Sequence, residues 1–210
     1  MKLYMFQVAP NPTRVRLYIA EKQEAGTLIP VEEVSLNLPK GEHRTPEHRA
    51  RDPFGNLPVL ERDDGSFLTE SLAIIEYLEE LYPRPSFFGD SPEERAQSRR
   101  LERICELSVV SPIAQIVHAT KSPLGLPPSP AVAECAQGIL SQGLGVVDDV
   151  LADGRPHVAG DRLTHADCTL QAGFQFARFC GLDVLAGYKN AQRWDEAYRG
   201  RPAAKSVLVV

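Results

Sequence analysis

Apolar positions in the opening part of the chain come in short blocks whose period changes. Residues 2–6 (KLYMF) read as a short strand, and residues 12–22 (PTRVRLYIAEK) as a helix with Val15, Leu17, Tyr18 and Ile19 at its apolar positions. Asn11 followed by Pro12 marks the start of that helix, because asparagine caps and proline is preorganised for the first turn. A second strand follows near residues 31–36 (VEEVSL), then a polar stretch with a helical pattern, KGEHRTPEHRARD. Leu57-Pro58-Val59-Leu60 opens a third strand. The pair Asp64-Gly65 is a hairpin signal, so residues 57–61 and 66–68 should run antiparallel. A helix begins at Ser71, with Leu72, Ile75, Leu78 and Leu81 at helical spacing.

The order βαβ then ββα implies a small mixed sheet with helices packed on it. Residues 82–92 (YPRPSFFGDSP) are rich in proline and turn formers and read as a linker. Everything beyond reads as helix, with candidates at residues 93–120, 131–152, 165–180 and about 190–199. The expected division is thus 1–81, a linker at 82–92, and an all-helical part over 93–210. Ahead of the third of these helices, Thr164 and Asp167 have the T-x-x-D spacing of a capping box, a folding signal that contributes roughly 0.5–2 kcal/mol.

With 210 residues the chain can bury one large core or two small ones unaided. A formal charge of −5, with 24% charged and 43% hydrophobic residues, argues against disorder and against nucleic acid as a partner. The N-terminus is too soon broken by proline to be a secretory leader, and no apolar run approaches the roughly 18–20 residues that cross a bilayer. A cytoplasmic protein is expected. Cys105, Cys135, Cys168 and Cys180 lack metal-ligand or CxxC spacing and read as structural core thiols, so no metal is expected.

Four stretches in this order resemble the glutathione transferase superfamily across essentially the whole chain: Ala9-Pro10-Asn11-Pro12-Thr13-Arg14-Val15-Arg16-Leu17, Asn56-Leu57-Pro58-Val59-Leu60, Thr69-Glu70-Ser71, and Gly160 to Asp167. The resemblance is to bacterial cytosolic, theta- or nu-like members. It implies a thioredoxin-like βαβ-ββα domain that binds glutathione as co-substrate, followed by a helical bundle forming much of the electrophile pocket. It also implies a homodimer.

The resemblance assigns each part of glutathione to a motif. In the family the proline matching Pro58 is cis, so Leu57 should pair with the tripeptide backbone by strand addition. Glu70 and Ser71 stand at a helix N-terminus, where the ligand's carboxylate meets unpaired N–H groups and its ammonium meets a glutamate. His43, in Lys40-Gly41-Glu42-His43, matches a segment that touches the glycine carboxylate, with Lys40 and Arg44 as alternatives, and Asn56 matches a position that helps hold the same end.

The thiol has a pKa near 8.5, and each unit of depression needs about 1.4 kcal/mol of preference for the thiolate. Position 9, where many members carry Tyr, Ser or Cys nearby, is alanine, and Tyr4 should belong to the strand. Asn11 remains, in a setting similar to transferases whose asparagine faces the sulfur; its amide and the first helical turn could stabilise the anion. Capping alone would also select it. Thr13 is the second candidate. The electrophile pocket is expected between Gln7-Val8 and a long helix holding Ser111, Gln115 and His118. The implied activity is attack of glutathione thiolate on a small hydrophobic electrophile or an organic peroxide; glutathione-dependent disulfide reduction and a non-catalytic transferase-fold module are the alternatives.

Overall fold

The computed structural model describes residues 1–210. Strand β1 (Lys2–Met5) is followed by helix α1 (Pro10–Glu24) and strand β2 (Glu32–Ser35), then by a 3-10 turn (Glu42–Arg44) and a single helical turn, α2 (Pro46–Arg49). Strands β3 (Val59–Glu61) and β4 (Phe67–Leu68) and helix α3 (Ser71–Leu81) complete the amino-terminal half. The sheet order is β2-β1-β3-β4. β1 runs parallel to β2, with Tyr4 opposite Val34, and antiparallel to β3, with Tyr4 opposite Val59. The expected hairpin is present: β3 pairs antiparallel with β4 around Gly65, whose φ of +80° only glycine adopts at no cost. This is a thioredoxin-like sheet.

Alternation along the strands separates two faces. Leu3, Met5 and Leu60 point into the main core with Val15, Leu17 and Tyr18 of α1 and Ile74, Ile75 and Leu78 of α3, whereas Tyr4, Leu57 and Val59 form a small cluster on the opposite face. Arg51 covers that second face, its guanidinium 4.3 Å from the Tyr4 ring centre.

The carboxyl-terminal half is helical: α4 (Pro92–Cys105), a π-helical turn (Glu106–Val110), α5 (Ser111–Thr120), α6 (Pro130–Val150), α7 (His165–Phe179), α8 (Lys189–Arg199) and α9 (Pro202–Val207). Helix was expected without interruption over 93–120; the backbone does continue, but through the wide turn. Pro112 supplies the reason, since it has no N–H for the Ser108 carbonyl and the preceding ladder must widen. Of the fifteen residues of α7, thirteen are buried, which places it at the centre of the molecule. The Asp167 carboxylate at its start accepts from the N–H of Thr164 at 2.9 Å, from the Thr164 hydroxyl at 3.1 Å and from the N–H of Val158 at 2.8 Å. The expected capping box is therefore in place and extended by one bond.

Other expectations change. Helix α1 begins at Pro10, two residues early, because both Pro10 and Pro12 fit a first turn whose N–H groups need no partner. Its cap is Ala9, not Asn11. Helix α9 has no counterpart in the sequence reading; six residues, PAAKSV, show too little periodicity. Cys105 and Cys168 are core thiols as expected, but Cys135 is exposed and Cys180 half-buried. Cys135 sits beside, and not on, the α6 stripe of Ala136, Leu140, Gly143, Leu144 and Val147.

The stretch between α3 and α4 is tied down. Lys22, fully buried in α1, donates to the carbonyls of Tyr82 and Pro85 at 2.7 Å each and pairs with Glu79 at 2.7 Å. His165 of α7 stacks on Phe88 at a ring separation of 3.8 Å. The two halves are thereby fixed against each other along one cleft.

Candidate active site

The bond between Leu57 and Pro58 is cis, as the resemblance implied; a second cis bond, Arg84–Pro85, had no forewarning. Asn56 just before it is clamped by its main chain, donating to the Asp52 carboxylate at 2.5 Å and accepting from His48 Nε2 at 2.9 Å. Leu57 itself is buried, yet neither its N–H nor its C=O has a partner within the chain. Buried main-chain groups are almost always paired, so such a pair beside a cleft is a vacant strand edge.

Across the cleft Glu70 has φ +66°, the only non-glycine residue in the left-handed region. That conformation costs of order 1–3 kcal/mol and persists where the surroundings impose it. It turns the chain abruptly into α3, whose N-terminus has no side-chain cap. The N–H groups of the first turn and the Ser71 hydroxyl therefore face the cleft with the exposed Glu70 carboxylate beside them. Leu57, Pro58, Glu70, Ser71, Asn56, His43 and Asn11 line one cavity of about 330 Å³.

Arg14, buried in the second turn of α1, joins these groups. Its Nε donates to Ser71 Oγ at 2.8 Å and its Nη2 to Asn11 Oδ1 at 2.7 Å, while Nη1 reaches Glu102 Oε1 at 3.2 Å and also Glu106 Oε2. A guanidinium can only donate, so the Asn11 atom facing it is the oxygen, and the amide NH₂ is left for the cleft. The sequence reading passed over Arg14. Its position three residues after Asn11 on one helix was visible, but its carboxylate partners lie 88 and 92 residues away.

Thr13 does not join the cleft. It is fully buried, its hydroxyl donating to Ala9 O at 2.9 Å and accepting from Gln175 Nε2 at 3.1 Å, so it braces the helix start against α7. Tyr4 donates to Glu61 at 2.6 Å, and burial together with that bond pushes its phenol up. His43 does line the cleft. Burial, and after it the charges of the neighbouring Arg44 and Arg49, hold its pKa down, and the Nε2 that accepts from Arg44 at 3.2 Å places the proton of the neutral ring on Nδ1. The ring is therefore a neutral donor rather than a cation. Lys40 and Arg44 are exposed and outside the cavity.

A second cavity of about 120 Å³ opens off the first, sharing Ala9, Pro10, Leu38, His118, Leu124 and Phe176 with it. Of the five residues expected around this pocket, Val8 and His118 are in the lining; Gln7, Ser111 and Gln115 are not. Gln7 is exposed and offers its carbonyl to Thr13 at 3.2 Å. On α5 the face toward the cleft is Ala114 and His118, one position away from the pair Ser111 and Gln115. Gln115 faces solvent, and Ser111 donates to Glu106 Oε1 at 3.2 Å, bracing the carboxylate that holds Arg14. His118 pairs through Nδ1 with Ser122 Oγ at 2.9 Å, and burial lowers its pKa, so the one titratable group in the apolar lining is uncharged at neutral pH. No group of His, Cys, Asp and Glu side chains is placed to hold a metal ion. No helix is long and apolar enough to cross a membrane.

A thioredoxin-like half with an open main-chain edge, roofed by an all-helical half, is the arrangement of a glutathione-binding transferase. The chain belongs to the glutathione S-transferase family. Residues 3–86 match the glutathione S-transferase N-terminal domain and residues 112–202 the C-terminal domain. It is 34% identical to glutathione S-transferase 2 of Saccharomyces cerevisiae over 100% of this chain and 90% of that protein. It is also 33% identical to a maleylacetoacetate isomerase of Pseudomonas aeruginosa, over 99% of this chain and 95% of that one. Among solved structures, Gtt2 from Saccharomyces cerevisiae superimposes with a TM-score of 0.89 at 33% identity, covering 99% of this chain and 100% of that one.

Proposed function

We propose that this protein binds glutathione in the 330 Å³ cavity, stabilises its thiolate through the Asn11 amide, and directs it at a small, uncharged electrophile or an organic peroxide held in the adjoining apolar cavity. In this reading residues 1–81 carry the glutathione site, 82–92 link, and 93–210 supply the α5 and α7 walls of the electrophile pocket. Asn11 is the theta- or nu-like feature.

The observation that carries the reading is the unpaired N–H and C=O of Leu57 facing the bare N-terminus of α3 across one cavity. An extended peptide bearing its own N–H and C=O groups satisfies the first, and a free α-carboxylate satisfies the second. The Glu70 carboxylate beside Ser71 then takes the ammonium. The cysteine thiol of γ-Glu-Cys-Gly, placed by those two anchors, comes to the start of α1, where Asn11 stands. Rate enhancement follows from thiolate stabilisation and proximity, with no covalent bond to the protein.

Lining chemistry limits the second substrate. The isomerase relative is named for a dicarboxylic acid, whereas the apolar cavity here contains no Lys or Arg and its single histidine is neutral. Burying a carboxylate there unpaired costs several kcal/mol, so an apolar substrate is favoured. Activity should therefore appear with activated aryl halides and alkyl hydroperoxides.

Calorimetric titration with glutathione, followed by a conjugation assay with an activated aryl halide, tests the reading. Saturable binding with turnover supports it. No heat of association at millimolar glutathione rejects it, and binding without turnover against any electrophile or peroxide points to a non-catalytic module.

The same reading includes a homodimer. Phe54 is 83% exposed although its loop is pinned by Asp52, which accepts from the N–H of both Phe54 and Asn56. A rigidly held, solvent-facing phenyl ring beside the site is suited to insertion into a second copy.

A further inference from the structure

Glutathione presents two anionic ends to the amino-terminal half of this cleft, a carboxylate at Ser71 and a thiolate at Asn11. Each of those side chains can act either as donor or as acceptor. A serine hydroxyl or an asparagine oxygen that turned a lone pair toward an anion would repel it. Something must fix both in the donating sense.

Arg14 meets that requirement. Its Nε–H and Nη2–H occupy the Ser71 oxygen at 2.8 Å and the Asn11 oxygen at 2.7 Å, and the acceptor capacity it takes from each is what an incoming anion must not meet. The Ser71 hydrogen and the Asn11 NH₂ are left for the ligand. A lysine could not do this, because one ammonium on a flexible stem does not reproduce the planar fork that reaches two acceptors at fixed angles. The fork is itself held from behind. Nη1 is bound by Glu102 and Glu106, on α4 and the π-helical turn, and those acids are braced by the Thr169 hydroxyl at 3.3 Å and the Ser111 hydroxyl at 3.2 Å. Arg14 is 5% exposed, so the carboxylates of the helical half are its counter-charge.

Resting on the function proposed above, we infer that Arg14 is a positioning residue that orients Asn11 and Ser71 as paired anion donors, so that the thiolate site and the γ-glutamyl site are set by one side chain anchored in the helical domain. Arg14 touches no substrate; it acts through its two partners.

The test is Arg14→Lys, with Asn11→Ala and the double variant, each checked for native circular dichroism. Three quantities are read: the pKa of bound glutathione from the ultraviolet absorbance of its thiolate, the pH profile of kcat/KM, and KM for glutathione. Arg14→Lys should raise the bound thiol's pKa by about one unit, lowering kcat/KM roughly tenfold below that pKa and little above it. KM for glutathione should rise as well, through Ser71. In the Asn11→Ala background the same change should leave the thiol pKa where Asn11→Ala alone put it while still raising KM, because the thiol effect passes through Asn11.

An unchanged pH profile and KM in folded Arg14→Lys would overturn the inference, as would pKa shifts that add in full. If Arg14→Lys does not fold, Glu106→Gln carries the test. It keeps the guanidinium but weakens its anchor, and it should shift the thiol pKa in the same direction, an effect absent on top of Asn11→Ala; no shift overturns the proposal. Absence of glutathione binding by the unaltered protein removes the underlying reading instead, and calorimetry on that protein separates the two failures.

Discussion

Gly143, midway along α6, lies against the main-chain carbonyl of Ser108 in the π-helical turn, at a place where a Cβ would overlap the carbonyl group. The carbonyl that Pro112 cannot engage thus has a neighbour with no side chain. Alanine is ordinarily better than glycine inside a helix by about 1 kcal/mol. At position 143 the sign should reverse, with Gly143→Ala destabilising by about 1–3 kcal/mol because backbone, not a flexible side chain, must move. Gly138 and Gly145 on the same helix have open space around them, so Gly138→Ala and Gly145→Ala should stabilise by about 0.5–1 kcal/mol. Urea unfolding of the three variants checks this, and a stabilised Gly143→Ala would refute the close approach.

Asn11→Ala should reduce kcat roughly ten- to a hundredfold, as loss of one donor to a developing anion does, with a smaller effect on KM for glutathione. Ser71→Ala and Glu70→Ala should do the reverse, raising KM while largely sparing kcat, since they hold the ligand away from the reacting sulfur. Steady-state kinetics at varied glutathione distinguish the two patterns. Normal turnover in Asn11→Ala would dismiss the assignment of the thiol site.

His165 should make stability fall on acidification. Burial of its ring depresses its pKa from 6.5 to about 3, and the neutral ring hydrogen-bonds to the Phe87 carbonyl at 3.3 Å. The unfolded chain takes up a proton at 6.5 that the folded chain refuses. Its contribution is therefore complete above pH 6.5 and is lost as pH falls toward about 3, at about 1.4 kcal/mol per unit. Unfolding free energies of the parent and of His165→Gln across that window should diverge in slope by this amount. Parallel curves would show that the ring is not kept neutral.

Phe54→Ser should weaken self-association by at least roughly tenfold, since a phenyl ring inserted at an interface contributes about 2–3 kcal/mol. The thermal midpoint of the isolated protomer should hardly move, because the ring is 83% exposed. Sedimentation equilibrium checks the first point and thermal unfolding the second. A monomeric parent protein, or an equilibrium indifferent to the substitution, would exclude the proposed role.

Where sequence conveyed the site, it did so through main-chain geometry written locally. Leu57-Pro58 and Glu70-Ser71 each occupy adjacent positions whose conformation decides their use, and both stand where they were expected. Side-chain partnerships across the fold were not visible in that way. Nothing near Arg14 announces two acids from a different half of the chain, and Thr13, polar in a helix start, looked available until α7 closed over it. On α5 the resemblance named Ser111, Gln115 and His118, and His118 alone of the three lines the cleft, with Ala114 one turn before it; which side of a helix meets a cleft depends on packing against distant elements that the local sequence does not display.

The location of the two acids that neutralise Arg14 constrains how this protein can be rebuilt. A chimera pairing residues 1–81 with a foreign helical half would inherit an interior cation whose counter-ions stayed behind, a defect worth about 3–5 kcal/mol where a buried pair is split. Transplanting the amino-terminal module therefore means importing Glu102 and Glu106, with the widened turn that presents the latter, as a single cassette.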